Sequence, residues 1–291
     1  MGRVVEKCII CESNEFQNYH NVLIECVKCG HITAKEMPTN AELKKLYQEE
    51  YFFGMEYFDY KADRPALEKN FIRRINRLNK RAIDDHFNII EIGSAYGYFL
   101  NLVKDKVKSH IGFEVSEDGV NYSNEKLKLN TTTDDFMQHK FKKNSIDTVF
   151  LWDVMEHLTQ PEKYVKKISE ILKPGGRIVF TTGDIGKALP RARKDKWRMI
   201  HPPTHVHYFT ANSAKQMLEK HGLKVEDVYY KGIYRNLGSV SKQIISNRKA
   251  KNSNTVFLEF GHKLADKSKL TKLNIPLNTF DIMEVVAVKN Q

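Results

Sequence analysis

The feature that most limits the fold of this chain is a regular alternation of strand-like and helix-like segments from residue 88 onward. The apolar run in NIIEIGSAYG predicts a buried strand that ends in glycines, and YFLNLVKDK predicts the helix after it. The pattern repeats through HIGFEVS, DGVNYSNEKLKL, IDTVFLWDV, PEKYVKKISEIL, RIVFTTG, ANSAKQMLEKHG and LKVEDVYYK, and FDIMEVVAVK closes it with a strand. Such alternation predicts an α/β fold in which a parallel, doubly wound sheet carries helices on both faces.

All four cysteines of the chain lie ahead of this alternation, in two CxxC pairs. Cys8 and Cys11 form the first pair, and Cys26 and Cys29 form the second. Each CxxC turn can direct two thiolates at one ion, and four sulfur ligands complete the tetrahedron that Zn²⁺ prefers. The spacing therefore predicts a zinc ribbon with a closed, structural Zn²⁺ site. Disulfides, inert buried thiols and an iron–sulfur cluster are the alternatives.

These patterns divide the chain into three regions. Residues 1–37 form the four-cysteine module, which is too short to fold around its own core without a metal or crosslink. Residues 38–84 form a helical linker with the aromatic run YFFGMEYFDY, which either closes over a ligand as a lid, with Gly54 as the flexible point, or packs between helices. Residues 85–291 hold the alternating domain, interrupted near 234–279 by an insertion or cap without a clear motif.

Charge and hydropathy limit the partners that the chain can have. The formal net charge is +11, and the densest basic stretch is KALPRARKDKWR, residues 187–198. This excess is compatible with an anionic partner such as nucleic acid, but lysines spread along amphipathic helices explain it as well. No apolar run reaches the ~20 residues that a membrane span requires, and MGRVVEKCII lacks a signal-peptide core. We therefore expect a cytoplasmic protein.

The first strand of the alternating domain ends in a loop suited to a ligand. Glu91 precedes a G-x-x-x-G loop from Gly93 to Gly97, where glycines let the backbone pass close to a ligand and turn into a helix. Glu114 ends the second strand, at a position where a carboxylate can accept both hydroxyls of a ribose. About twenty residues later, Asp135 and Phe136 form an acidic and apolar pair suited to an adenine amine and ring.

In this order, EIGSAYG, GFEVS, DDF, IDTVFLWDVMEHL and LKPGGRIVFTT resemble the class I S-adenosylmethionine-dependent methyltransferases. The resemblance covers residues 85–232 and the closing strand, and it implies a Rossmann-like sheet. With its zinc ribbon, LYQEEYFFGMEYFDY and PPTHVHYFTANSAKQMLEKHGL, the chain is similar to a bacterial subgroup often tied to glycan or small-molecule biosynthesis. It departs from the usual pattern at Ser94, where glycine or cysteine is more common, and at Tyr96 and Tyr98.

The resemblance implies S-adenosyl-L-methionine as the cofactor and assigns residues to its parts. The methionine portion would lie at the loop and the ribose at the end of the second strand. The adenine would lie at the acidic–apolar pair, and the sulfonium near the end of the strand IDTVFLW. The residues in that order are Glu91, Gly93, Ser94, Tyr96 and Gly97; Glu114 and Val115; Asp135 and Phe136; and Trp152 and Asp153.

The motif DVMEHL follows the strand IDTVFLW, at the edge of the sheet where ligands bind. His157 is a candidate general base because imidazole titrates near neutrality, and Glu156 could orient it. Asp153, Glu156 and His157 also resemble the acidic cluster that holds Mg²⁺ in small-RNA 2′-O-methyltransferases and ubiquinone-pathway O-methyltransferases, and His201, His205 or His207 offers another ligand. A structural role of the glutamate–histidine pair in the strand–helix turn is the third alternative.

The segment HPPTHVHYFT presents His205 and His207 two positions apart in an extended run. In a regular strand this spacing directs both side chains to one face, which either lines a pocket or lies on a solvated surface. We expect His205 to have a catalytic role in the pocket.

The chain is accordingly predicted to be an O-methyltransferase that acts on a sugar, a glycan precursor such as a sugar nucleotide, or another small molecule. N-methylation stays open. One alternative is an RNA methyltransferase that uses the ribbon and the basic surface. The other is an inactive methyltransferase-like protein whose zinc module docks a partner.

Overall fold

A computed structural model of the chain describes residues 2–39, 42, 60–249 and 255–290. The segment AELKKLYQEEY of the predicted helical linker lies outside the described residues, apart from Glu42. The predicted aromatic lid, apart from Tyr60, lies outside them as well.

The central sheet has seven strands, and it confirms the predicted α/β fold. The strands are β6 (Asn88–Ile92), β7 (Ser109–Phe113), β8 (Thr131–Thr132), β9 (Ile146–Trp152), β10 (Leu172–Gly183), β12 (Leu223–Tyr229) and β15 (Ile282–Lys289). Their order in the sheet is β12–β15–β10–β9–β6–β7–β8. The five strands from β10 to β8 are parallel, whereas β15 runs antiparallel to both of its neighbours. The last strand is thus the exception to the predicted parallel sheet.

The apolar composition of the strands places them in the core. Val149, Phe150 and Leu151 of β9 are consecutive and fully buried, as expected of a parallel strand that is covered on both faces. Helices follow the strands: α2 (Tyr98–Val103), α3 (Glu117–Leu127), α4 (Pro161–Ile171), α5 (Ala188–Arg193) and α6 (Ala211–Lys220). Because parallel strands end at the same edge, the loops after β6, β7, β9 and β10 gather there.

The helix boundaries follow local capping chemistry. The hydroxyl of Ser116 accepts a hydrogen bond from the amide of Gly119 at the start of α3. At the start of α6, Thr210 and Ser213 each use a side chain to satisfy the other's backbone amide. Pro161 occupies the first turn of α4, where its missing amide proton is not needed.

The four-cysteine module contains short strands, and one of them pairs with a strand from a much later part of the chain. These are β1 (Arg3–Val4), β2 (Phe16–His20), β3 (Leu23–Cys26), β4 (Ile32–Ala34) and β5 (Glu36–Met37). β1 pairs with β5, while β2, β3 and β4 form an antiparallel sheet. The fourth strand of that sheet is β11 (His207–Tyr208), which pairs with β4.

The chain divides into two compact units. One contains residues 1–45, 78–231 and 279–291, so the four-cysteine module belongs to the same unit as the central sheet. The other contains residues 46–77 and 232–278. The predicted boundaries at 37 and 84 stay a prediction. Within the first unit, Cys8, Ile10 and Cys26 pack into the same apolar core as the strands of the central sheet.

The second unit holds the helices and the hairpin of the predicted insertion. They are α1 (Arg64–Leu78), which lies in the predicted helical linker and extends one residue beyond the unit, β13 (Ile233–Asn236), α7 (Leu237–Lys249), α8 (Val256–Lys267) and β14 (Asn274–Leu277). β13 and β14 pair antiparallel. The side chain of Asn70 donates to the carbonyl of Tyr234 and accepts from its amide. In the described part of the chain, none of the helices has the length and apolar character needed to cross a bilayer.

Candidate functional site

The loop after β6 depends on glycine at both ends. Gly93 and Gly97 have φ of +73°, and Ala95 between them has φ of +47°. A Cβ atom at Gly93 would lie 2.5 Å from Cγ2 of Val154, and one at Gly97 would lie 2.5 Å from Cδ1 of Leu129. Both glycines are therefore required by conformation and by space.

Two buried polar groups of this loop have no hydrogen-bond partner among the described residues. They are Oε2 of Glu91 and Oγ of Ser94. Burial raises the pKa of Glu91 well above its usual range, and the neighbouring Glu114 raises it further. A buried carboxyl group without a partner is costly, and a ligand that carries an ammonium group would satisfy it. The residues therefore fit the amino-acid portion of S-adenosylmethionine.

Glu114, at the end of β7, is held in place by two backbone amides. Its Oε2 accepts from the amide of Ala95 at 2.7 Å, and its Oε1 accepts from the amide of Ser116 at 2.9 Å. Burial raises its pKa, and these hydrogen bonds oppose that effect. Each oxygen keeps a lone pair for a further donor, such as a ribose hydroxyl. The adjacent Val115 is 66% exposed, so it leaves an apolar surface beside this carboxylate.

The predicted adenine pair lies in the loop between β8 and β9. Asp135 is exposed, and its Oδ1 accepts from the amide of Met137 at 2.8 Å. Phe136 is only 3% exposed, and its ring stacks on Tyr164. Contact of these residues with adenine stays a prediction, and the carboxylate is the more accessible of the two groups.

Lys167 on α4 holds this adenine loop by three hydrogen bonds. Its Nζ donates to the carbonyl oxygens of Phe136, Met137 and His139 at 2.6–2.9 Å. An ammonium group has three protons, so this cation uses all of them on one loop. The sequence pattern gave no indication of this role.

The tyrosines that depart from the family pattern pack together beside the glycine loop. Tyr96 and Tyr98 are almost fully buried and their rings stack, while Tyr122 meets both of them edge-on. The hydroxyl of Tyr96 donates to Asp118. These contacts connect the loop to α3.

The end of β9 has a strained backbone at Asp153. Its φ is +54°, which is uncommon for a residue other than glycine. The conformation is fixed by Thr181, whose hydroxyl donates to Oδ1 of Asp153 at 2.7 Å and accepts from its amide at 2.9 Å. Trp152 before it is buried and stacks on Phe150. The strain places the chain reversal at the position predicted to face the sulfonium.

Three buried side chains that were predicted to be catalytic converge just beyond this turn. Glu156, His157 and His205 each offer a ligating atom within 4.8 Å of the others. The imidazole rings of His157 and His205 are 4.4 Å apart, and the ring of His201 lies 3.8 Å from that of His205. The structure thus brings together residues that are about fifty positions apart in the sequence.

Backbone carbonyls determine the tautomers of the two buried imidazoles. Nδ1 of His157 lies 2.9 Å from the carbonyl oxygen of Thr204, and Nδ1 of His205 lies 2.9 Å from that of Met199. A carbonyl only accepts, so Nδ1 carries the proton in both rings. In the neutral form each Nε2 therefore has a lone pair with which it can accept a proton.

Glu156 contributes a deeply buried carboxyl group to this cluster. Neither of its carboxylate oxygens has a hydrogen-bond partner among the described residues. Burial raises its pKa to about 8, His205 opposes the shift, and Asp153 adds to it. A carboxyl group with this pKa is suited to exchange protons near neutral pH.

The structure does not support the predicted Mg²⁺ ion at Asp153, Glu156 and His157. The carboxylate of Asp153 accepts from the Thr181 hydroxyl, and the convergent group contains His205 in its place. Two imidazoles and one carboxylate are a poor ligand set for Mg²⁺, which prefers oxygen ligands.

The four cysteines converge as the ribbon pattern predicts. Sγ of Cys8 lies 3.4 Å from Sγ of Cys29, and Sγ of Cys11 lies 3.4 Å from Sγ of Cys26. A disulfide would need about 2.05 Å, whereas sulfurs around one Zn²⁺ at ~2.3 Å lie about 3.8 Å apart. The group is compact enough for one ion, so the residues fit zinc. The zinc itself stays a prediction.

His207 has surroundings different from those of His205. It is buried, its Nδ1 lies 3.2 Å from Nε2 of His31, and its Nε2 lies 3.4 Å from the carbonyl oxygen of Thr159. The solvated-surface alternative for these two histidines is wrong, because both are 1% exposed. The position of His31, two residues after the second CxxC pair, is the one signal in the sequence for its role.

The fold and the strand-end residues define an α/β enzyme domain built to hold a nucleotide-bearing cofactor. A family model described as "Methyltransferase domain" matches residues 60–228, which is more than half of the 291-residue chain. The chain therefore belongs to this family and carries a methyltransferase domain.

Individual relatives are distant. The chain is 28% identical over 100 residues to phosphoethanolamine N-methyltransferase 2 of Caenorhabditis elegans, a match that covers 32% of this chain and 23% of that protein. It is also similar to the structure of a proposed methyltransferase from Bacillus halodurans C-125, with a TM-score of 0.54 and 13% identity over 77% of this chain and 100% of that one. The YcgJ protein of Bacillus subtilis gives a TM-score of 0.55 at 12% identity, over 77% and 99% of the two chains. At these identities the structures support the fold alone.

Proposed function

We propose that the protein transfers a methyl group to a hydroxyl of a small polar acceptor, such as a sugar or a sugar nucleotide. The observation that carries this proposal is the buried cluster of Glu156, His157 and His205 directly beyond the turn at Asp153. S-adenosylmethionine supplies the methyl group on a cationic sulfur, and the chain's own residues supply position and a proton acceptor.

A neutral hydroxyl needs such an acceptor because it must lose its proton as the new bond to carbon forms. Nε2 of His157 or of His205 has the lone pair for this role, since Nδ1 of each ring is held as a donor. When its own carboxyl group is ionised, Glu156 stabilises the imidazolium that forms on proton transfer. The burial of all three groups removes water that would compete for the acceptor position.

An amine acceptor is the second candidate, because the curated relative from Caenorhabditis elegans is a phosphoethanolamine N-methyltransferase. The same proton acceptor would serve an ammonium group. A third candidate, RNA, is favoured by the exposed cations Arg191, Arg193, Lys194 and Lys196 on the segment after β10. The aromatic residue among these cations, Trp197, is buried, so it offers no ring face on which single-stranded bases would stack.

The experiment that separates these candidates uses S-adenosylmethionine labelled with ¹³C in the methyl group. Zinc-loaded protein is incubated with three panels: glycosides and sugar nucleotides, ethanolamine and phosphoethanolamine, and total RNA. We expect label on a hydroxyl oxygen in the first panel. Label confined to nitrogen or to RNA would contradict the proposal. Gly93→Val serves as the inactive control, because its loop cannot keep the conformation that the cofactor needs.

A further inference from the structure

Strand β11 lies between the four-cysteine module and the turn that carries Glu156. On one side it pairs with β4, and the carbonyl of Val206 accepts from the amide of Ala34 and from the hydroxyl of Thr33, both at 2.9 Å. On the other side, the amides of Val206 and His207 both donate to the carbonyl of Glu156, at 2.9 and 3.2 Å. The module is therefore one strand away from the backbone of a candidate catalytic residue.

A buried chain of two imidazoles runs beside this strand. The carbonyl of Thr159 only accepts, so Nε2 of His207 carries a proton, and Nδ1 of the same ring has the lone pair. Nε2 of His31, 3.2 Å away, is then the donor to His207. The Thr33 hydroxyl lies 3.2 Å from Nδ1 of His207, but it donates its proton to the carbonyl of Val206. Module and catalytic turn are connected through side chains as well as through the backbone.

His31 is in turn held by the second cysteine turn. The amide of Cys26 donates to the carbonyl of His31 at 2.8 Å, and the amide of Gly30 donates to the carbonyl of Cys26 at 2.8 Å. Gly30 has φ of +70°, so this turn has a defined conformation that ends beside His31. A metal ion that fixes Cys26 and Cys29 would therefore fix the position of His31.

Burial of two imidazoles costs free energy of desolvation at the ring nitrogens, whereas apolar side chains of similar size would pack there without that cost. Their value must come from the direction that hydrogen bonds give. His207 immediately follows Val206 and lies two residues after His205, so a change in its position reaches both the Glu156 carbonyl and the His205 ring.

We propose that His31 and His207 are positioning residues, and that they couple the four-cysteine site to the catalytic pair Glu156 and His205. The proposed cofactor residues Glu91, Gly93 and Glu114 lie at or just after the ends of β6 and β7, and they share no hydrogen bond with His31 or His207. Loss of the coupling thus disables methyl transfer and leaves cofactor affinity intact. The inference rests on the proposed function of Glu156 and His205.

The test compares His31→Phe, which keeps the ring but removes the donor, with His31→Gln, which keeps an N–H group near the position of Nε2. Both variants are studied zinc-loaded. Three readouts are taken: zinc content, calorimetric affinity for S-adenosylmethionine, and imidazole ¹⁵N chemical shifts of His157, His205 and His207.

For His31→Phe we expect about one zinc per chain and an affinity for the cofactor within about twofold of wild type. Nδ1 of His207 loses its donor, so its ¹⁵N signal shifts, and the signals of His205 shift or broaden with it. With the acceptor found in the labelling screen, kcat falls by about 100-fold at unchanged KM for the cofactor. His31→Gln resembles wild type in all of these readouts. Unchanged His205 signals in His31→Phe would overturn the coupling.

Zinc removal from the wild-type protein gives a second test that needs no variant to fold. On chelation, the amides of Val206 and His207 should exchange with solvent at least about tenfold faster. The amides of Gly93 and Ser94, which donate to the carbonyl of Phe113, should keep their rates. Equal acceleration at both pairs, or none at Val206 and His207, contradicts the proposal. Failure of wild type to bind the cofactor would instead contradict the function itself.

Discussion

The cofactor side and the catalytic side of the site are built in different ways. The proposed cofactor side uses residues at the ends of β6, β7, β8 and β9, most of them within the stretch 91–136. The proposed catalytic side takes Glu156 and His157 from one stretch and His205 from another. The strand that follows His205, β11, pairs with β4 of the four-cysteine module. A local motif is therefore enough to indicate the proposed cofactor residues, whereas the residues of the proposed proton acceptor come together only in the assembled fold.

Gly93→Val would break the cofactor side with the largest effect. The new side chain would meet Val154 at a position where φ is +73°, so the loop must move. We expect the affinity for S-adenosylmethionine, measured by calorimetry, to fall on the order of 1000-fold.

Gly261→Ala is the matched control for Gly93→Val. A Cβ at this helical glycine meets no atom within 4 Å, so cofactor affinity should stay at the wild-type value. Similar losses of affinity in the two variants would show that the loop geometry is not what matters.

A pH series would test the catalytic side through Glu156. Its pKa in the folded protein is raised to about 8 from an ordinary value of 4.5, so the folded state holds this proton more tightly than the unfolded state. The stability that this group contributes is complete below pH 4.5 and is lost as pH rises through 8. Relative to Glu156→Gln, the wild-type free energy of unfolding should fall by about 3 kcal/mol between pH 5 and pH 8.

Urea unfolding of both proteins at the two pH values measures this difference. Glu170→Gln, a change of an exposed carboxylate on α4, provides the control and should track wild type. If the difference between wild type and Glu156→Gln is the same at both pH values, Glu156 is not a buried, proton-binding group.

Lys167→Met would sharpen the comparison with a smaller effect on the cofactor side. It removes three hydrogen bonds that hold the loop with Asp135 and Phe136. We expect the Kd for S-adenosylmethionine to rise by about tenfold, since hydrogen bonds to a charged group are worth more than neutral ones. Lys166→Met, next to it and exposed, should leave the Kd unchanged. Equal Kd values for the two variants would show that Lys167 does not contribute to cofactor binding.

The sequence was sufficient for the order of strands and helices and for the cofactor loop. Buried strands such as IDTVFLW and glycines at a strand end are local patterns whose physical cause is local. The antiparallel direction of β15 could not be predicted, because a buried apolar strand has the same sequence pattern in either direction.

The catalytic side could be predicted only in part. Glu156, His157 and His205 were identified as candidates by their chemistry, but their convergence is a property of the fold. The roles of His31, Lys167 and Thr181 depend on partners between 28 and 176 positions away, so no spacing in the sequence indicates them.

The most direct test of the central claim is a paired measurement on Glu156→Gln: cofactor affinity by calorimetry, and the rate of methyl transfer to the acceptor found in the labelling screen. If the two sides are separate and Glu156 serves proton transfer, the rate falls by about 100-fold or more and the Kd for S-adenosylmethionine changes by less than about twofold. A wild-type rate, or a loss of affinity as large as the loss of rate, would contradict it.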